Sequence, residues 1–264
     1  MQQKIDLKSE LMTQAQTTEA EVKLKKNMTI PDMVRAMLPE IRKALPAVMT
    51  PERFTRIALS ALNNTPELQK CSPMSFIAAL LNAAQLGLEP NTPLGQAYLI
   101  PYKNKGSLEC QFQIGYKGLI DLAYRNGQMQ TIQAQVVYEN DEFEYELGLE
   151  PKLIHKPAAD NRGEPVYFYG VFRTTNGGYG FSVMSKSDMD RFAQAYSRSF
   201  ASDYSPWKSN YEDMAKKTVI KQALKYAPIH TDFQRALSSD ETIKSAISEE
   251  MVSVANEVII DEAA

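Results

Sequence analysis

Residues 98–127 read YLIPYKNKGSLECQFQIGYKGLIDLAYRNG, and two periods meet within them. Tyr98, Ile100 and Tyr102 alternate with Leu99 and Pro101. After Lys103-Asn104-Lys105-Gly106, Leu108, Cys110, Phe112 and Ile114 alternate with Glu109, Gln111 and Gln113. A period of two on both sides of a glycine-containing turn predicts a β-hairpin with a basic tip. From Gly115 the spacing becomes helical through Leu119, Ile120, Leu122 and Ala123, with Asn126-Gly127 as the stop. Strand and helix therefore alternate in one short stretch.

On the N-terminal side the signals are helical. Thr50 before Pro51-Glu52 has the form of an N-cap, and Phe54, Ile57, Ala58, Ala61 and Leu62 follow on one face. Ser72-Pro73 repeats that start, with Phe76, Ile77, Leu80, Leu81 and Ala84 as the apolar stripe and Gly87 as the stop. Met33, Met37, Leu38, Ile41 and Leu45 suggest one or two short helices interrupted at Pro39. On the C-terminal side, runs from Thr131 to Tyr138 and from Val166 to Thr174 read as strands, the second returning through Asn176-Gly177-Gly178 into Tyr179 to Met184. Ser187 is placed to cap a helix from Asp188 to Tyr196, and a long helix is expected from about Trp207 to Tyr226, ahead of Pro228. Strands and helices without regular β-α alternation predict an α+β fold, with hairpins packed on helices that include a long basic one.

With 264 residues, 44% hydrophobic and 23% charged, the chain has material for one main core. The expected organisation is a polar N-terminal arm at 1–30, a core at 31–231 and an acidic tail at 232–264. The net charge of −3 is unevenly spread: eight acidic and two basic side chains lie from Asp232 onward, which leaves the remainder net positive. Cys71 and Cys110 lack zinc-ligand spacing and read as small buried hydrophobes in a reducing compartment. There is no apolar run of membrane length and no secretory signal, so the expected location is the cytoplasm.

Residues 207–226 read WKSNYEDMAKKTVIKQALKY. On a helix, Lys217, Lys221 and Lys225 form one stripe, with Ala215, Val219, Ala223 and Tyr226 opposite. Successive ammonium groups stand about 5.4 Å apart, comparable with phosphate spacing along a partly stretched strand. Lys216 and Lys208 lie nearby, and Trp207 beside Lys208 is a candidate surface ring. Around the turn from strand to helix, Gly115 and Gly118 bracket Tyr116 and Lys117 in a form suited to a phosphate, with Arg125 further along. Lys103 and Lys105 on the hairpin tip, and Arg191 and Arg198 ahead of the lysine helix, extend the basic set. Tyr98, Tyr102, Tyr116 and Tyr124 are interleaved with these charges, a combination that grips single strands without reading sequence.

No nucleotide loop of either common form is present, and no cofactor is expected. His155 and His230 read as structural hydrogen-bonding groups. Asp141, Glu150 and Lys152 loosely imitate the carboxylate and lysine set of metal-dependent nucleases, which keeps an enzyme as one alternative. A passive single-strand coat is another.

The runs MTPERFTRIALSAL, CSPMSFIAALLNAAQLGLEPNTPLGQAYLIPY, CQFQIGYKGLIDLAYRNG, GLEPKLIHKP and YEDMAKKTVIKQALKY resemble the RecT family of phage single-strand annealing proteins, in that family's order. The resemblance implies ATP-independent annealing of complementary strands and rings or filaments on DNA, with single-stranded DNA and the annealed duplex intermediate as the partners. It also implies work alongside a phage 5'-to-3' exonuclease, with host single-strand-binding protein as a further candidate partner. It further implies a curved antiparallel sheet and a long helix, as in the annealing core of Red-beta. The chain is thus expected to be a binding protein with no catalytic residues.

Overall fold

The computed structural model describes residues 28–257 apart from 48, 126, 198–199, 201–204, 229–230, 245 and 249. Most of the expected N-terminal arm and the last seven residues lie outside the described residues.

Two short helices, α1 (Ile30–Ala36) and α2 (Leu38–Ala44), are separated at Met37. Pro39 starts the second helix from its first turn, where a missing N–H costs nothing. In α3 (Pro51–Asn64) the Thr50 hydroxyl accepts from the Arg53 N–H, as its position suggested. A 3₁₀ turn (Pro66–Lys70) leads to α4 (Pro73–Leu86), which is buried on nearly every side and ends on Gly87 in the left-handed conformation. The small polar side chain of Ser75 on α4 is hydrogen-bonded in the interior. Its hydroxyl donates to the Ser72 carbonyl and accepts the Cys110 N–H.

The hairpin pairs β1 (Ala97–Asn104) with β2 (Ser107–Ile114) in the register Ala97↔Ile114 to Asn104↔Ser107. Lys105 and Gly106 both have positive φ, the requirement of a two-residue type I′ turn. α5 (Tyr116–Tyr124) follows. Three antiparallel strands, β3 (Met129–Tyr138), β6 (Pro165–Thr174) and β7 (Tyr179–Ser185), make the second sheet with β6 in the middle. Register shifts at both ends of the β3–β6 ladder bend it. Between β3 and β6 a separate hairpin is inserted, β4 (Glu142–Glu146) and β5 (Lys152–Lys156). The class is α+β with open, curved antiparallel sheets.

The remaining helices differ in detail from the sequence expectation. α6 (Lys186–Tyr196) is capped by Ser185, not Ser187. The expected single helix from 207 to 226 is two helices, α7 (Pro206–Ser209) and α8 (Tyr211–Leu224), broken at the non-helical Asn210. α8 is the centre of the molecule: β6, β3 and β7 pack on one side and α5 on another. Gly170 makes that approach feasible, because a Cβ there would lie 2.6 Å from the Val219 carbonyl oxygen. α9 (Thr231–Ser239) follows and contributes Phe233 and Ala236 to the main core. Further on, Thr242 exchanges backbone hydrogen bonds with Phe112 on the edge of the first hairpin. Much of the segment expected as an acidic tail is thus folded onto the body. Among the described residues no helix is long and apolar enough to cross a membrane.

Gly170→Ala is expected to force the sheet off α8 and lower stability by about 1–3 kcal/mol. A fall in the urea midpoint with unchanged slope is the measurement that checks it.

Candidate nucleic-acid interface

The lysine stripe on α8 is only partly offered to solvent. Lys217 is 2% exposed. Its ammonium donates to Asp240 Oδ1 at 3.0 Å and to Glu241 Oε1 at 2.9 Å. Asp240 also accepts the Ile114 N–H at 2.8 Å on Oδ1 and Lys221 at 3.0 Å on Oδ2. Burial opposes the charge on Lys217, but Asp240 and Glu241 outweigh it and hold its pKa above the ordinary lysine value. Burial likewise opposes the charge on Asp240, and Lys217 with Lys221 holds its pKa below the ordinary carboxylate value. The open cationic row expected on this helix is therefore corrected at Lys217. Acid from the C-terminal segment neutralises it inside the fold, since an isolated ammonium cannot stay charged there. Lys221 keeps 34% of its side chain exposed, and Lys225 is exposed. Lys216 is half-buried and lies 3.7 Å from Glu212.

Two further candidates have internal roles. Trp207, expected at the surface, is 5% exposed and sits among Phe200 and Tyr211. The Ser205 hydroxyl caps the new helix start at Pro206 and turns the ring inward. Arg125 binds the C-terminal end of α4, donating to the Leu86 and Gly87 carbonyls and pairing with Asp121. A cation there meets the negative end of the helix dipole. The glycines 115 and 118 also have a packing reason. A Cβ on either would lie 2.1 Å from a backbone oxygen, of Gly95 and Gln96 respectively, and the Gly115 N–H donates to the Gln96 carbonyl.

Other candidates stand on the surface. Lys103 precedes the first hairpin's turn and Lys105 lies in it, 3.9 Å from Glu257. Arg191 pairs with Asp188, one turn earlier on α6, and Lys208 is exposed on α7. Arg198 and His230 lie outside the described residues.

One set of candidates does come together. Lys117 is exposed at the start of α5, and its Cδ and Nζ lie against the site where a Gly95 Cβ would be, as does the Tyr98 hydroxyl. Tyr98 is 39% exposed and Tyr116 is half-buried. Partial burial, then the nearby Asp213 carboxylate, pushes both phenol pKa values up, so both hydroxyls stay protonated donors. Two rings and an ammonium thus share one surface where β1, α5 and α8 meet. The partners of the α8 lysines, Asp240 and Glu241, were not found by sequence reasoning. No local signal marks them, because they lie some twenty residues along the chain.

The nuclease-like set is not assembled. The Asp141 side chain is buried and accepts from Tyr138 N, Ala158 N, Arg162 Nε and Arg162 Nη2, and His155 Nε2 lies 3.0 Å away. Arg162 is the largest influence holding its pKa far below the usual carboxylate range. Its lone pairs are taken by the protein, Glu150 is out on the surface and Lys152 pairs with Glu146. His155 bridges Asp141 and the Tyr169 hydroxyl, the structural role expected of it.

The RecT family model matches residues 52–255. The chain is 42% identical over 210 residues to Protein RecT of Escherichia coli (strain K12), covering 78% of this chain and 77% of that protein. It is 32% identical over 193 residues to the uncharacterized protein YqaK of Bacillus subtilis (strain 168), covering 72% of this chain and 64% of that protein.

Asp240→Asn is expected to cost about 3–5 kcal/mol at neutral pH, because it strands Lys217 with a weakened partner set. Asp240 is depressed in the folded state, so its contribution is present above the unfolded carboxyl pKa of about 3.9 and is lost as pH falls through the lower folded value. Lys217 is raised, so its contribution holds below the unfolded lysine pKa of about 10.4 and is lost only above the folded one. Urea unfolding across pH should therefore show the gap between wild type and Asp240→Asn closing on the acid side.

Proposed function

The chain belongs to the RecT family of recombination and strand-annealing proteins, and on that premise we propose that it holds single-stranded DNA by its sugar-phosphate backbone and, as an oligomer without ATP, pairs it with a complementary strand. Two strands repel through their phosphates and are hindered by their own internal pairing. A helper must neutralise charge and keep the chain open while base edges remain free. The observation that supports this reading best is the surface of Tyr98, Tyr116 and Lys117, where a cation and two half-exposed rings stand side by side. Lys221, whose side chain is partly exposed on the adjacent α8 although its ammonium pairs with Asp240, would extend the cationic path. Lys103, Lys105, Lys208 and Lys216 add charge on the flanking elements.

Lys217 contributes differently in this reading. It fixes the helix that carries Lys221 and does not itself touch phosphate. Binding through phosphate charge and ring faces would be indifferent to sequence. A 5'-to-3' exonuclease is the natural source of the single strand, and host single-strand-binding protein the coat to be displaced.

Lys117→Ala is expected to weaken binding to all sequences alike and to flatten the salt dependence by up to about 0.7 for each single-strand phosphate that the side chain no longer neutralises. An unchanged slope in the folded variant would remove α5 from the site. Adding a complementary strand to coated DNA without ATP should accelerate pairing over naked strands. Slower pairing would identify a passive coat instead.

A further inference from the structure

The turn that leads into β1 ends in an apolar point. Thr92, Pro93, Leu94 and Gly95 form it, the Gly95 N–H donating to the Thr92 carbonyl at 3.0 Å. Proline at the second position and glycine at the fourth are residues that a β-turn favours. Pro93 and Leu94 lie at the tip, both exposed, Leu94 at 51%. A single leucine in water is ordinary on a protein surface. Leu94 differs in how firmly its turn is held and in what stands beside it. Before the turn, Asn91 has a φ of 54° and clasps Leu99, accepting its N–H on Oδ1 at 2.7 Å and donating to its carbonyl from Nδ2 at 3.3 Å. After the turn, Gln96 Oε1 accepts the Glu89 N–H at 3.1 Å, and the Gln96 carbonyl accepts the Gly115 N–H at 2.9 Å. Gly115 and Gly118 let α5 close on the carbonyls of Gly95 and Gln96. Two side-chain amides and two glycines thus fix a turn whose tip faces water.

That tip adjoins the candidate surface. The space that a Gly95 Cβ would fill is bordered by the Tyr98 hydroxyl at 3.1 Å and by Lys117 Cδ and Nζ at 3.5 and 4.0 Å. Leu94 is the preceding residue, its Cα about 3.8 Å from that of Gly95. A base whose phosphate sits on the Lys117 ammonium therefore comes within reach of the Leu94 side chain. On the reading that the strand runs over Lys117 and Tyr98, we propose that Leu94 is a wedge that enters between two neighbouring bases and interrupts their stack. Apolar side chains are the groups that proteins insert between base steps. They gain burial against the base faces and make no claim on the hydrogen-bonding edges. A loose loop would yield to the stack, whereas a turn tied on both flanks passes the strain to the strand. The step opened at Leu94 keeps the strand from refolding on itself while its pairing edges stay free.

Single strands carrying 2-aminopurine, an adenine analogue that brightens when its neighbours unstack, test the wedge. Saturating wild-type protein should raise the emission, and Leu94→Ala should lose at least about half of that rise while keeping the wild-type salt slope, because no phosphate contact is removed. Leu94→Trp gives a second readout in a chain whose one native tryptophan, Trp207, is buried. Its added emission should be quenched by a strand with bases and left unchanged by an abasic strand of equal length, which offers phosphates alone. A Leu94→Ala complex as bright as the wild-type one would overturn the wedge. So would a Leu94→Trp chain that ordinary strand does not quench, or that abasic strand quenches equally. The two readings fail separately. Wild-type protein that holds the strand and leaves 2-aminopurine dark sinks the wedge alone, whereas wild-type protein that does not hold the strand sinks the function reading, and the wedge with it.

Discussion

The carboxylate of Asp240 holds three parts of the chain in one geometry. It accepts from the backbone at the end of β2 and from two lysines on α8, and it belongs to the segment after α9. A carboxylate with that little exposure to water is tolerated only when its donors are all in place. The hairpin, the central helix and the C-terminal segment must therefore reach their final positions together. The direction of both pKa shifts agrees: each partner keeps the other charged against the cost of burial. A hydrophobic substitute could match such a junction in energy, but it would not fix register as these directed bonds do.

Around that junction the packing is close. α8 lies against β6 where Gly170 carries no side chain, and α5 begins against residues 95–96 where Gly115 and Gly118 carry none. These approaches bring Lys117, Tyr98 and Tyr116 beside α8, so the candidate surface depends on the backbone as much as on the groups that form it. The second hairpin is tied at its base by the Asp141, Arg162 and His155 knot, by Phe143 and Tyr145 on the rings of β6, and beyond Gly148 by the Tyr179 hydroxyl donating to the Pro151 carbonyl, while Leu147 and Leu149 stand in solvent.

The local elements were legible in the sequence wherever period and punctuation agreed. The first hairpin could be read because both strands alternate around a turn that tolerates positive φ at Lys105 and Gly106. α3 and α4 could be read from Thr50 and from Ser72-Pro73 with Gly87. The break at Asn210 could not, because neither proline nor glycine marks it, and the helical period runs straight through. Among the site residues, a helical wheel places Lys217 beside Lys221 correctly but says nothing of what lies opposite. Its partner Asp240 is 23 residues away. Trp207 beside Lys208 looks like a surface ring until the turn at Ser205 aims it at Phe200 and Tyr211. Gly115 and Gly118 signal a special backbone, and only the position of residues 95–96 shows that close approach is the reason.

The lacing of Thr242 and Glu241 to the edge of β2 bears on the chain's synthesis. Gln111 and its partner carbonyl on Glu241 are 130 residues apart. At roughly 5–20 residues per second on the ribosome, the first hairpin waits on the order of ten seconds for the strand edge that completes it. Towards the end of that interval Lys217 and Lys221 have been made and Asp240 has not. The nascent polypeptide consequently passes through a stage in which its central helix carries uncompensated positive charge next to an unfinished apolar interior, a stage at which chaperone capture would matter most.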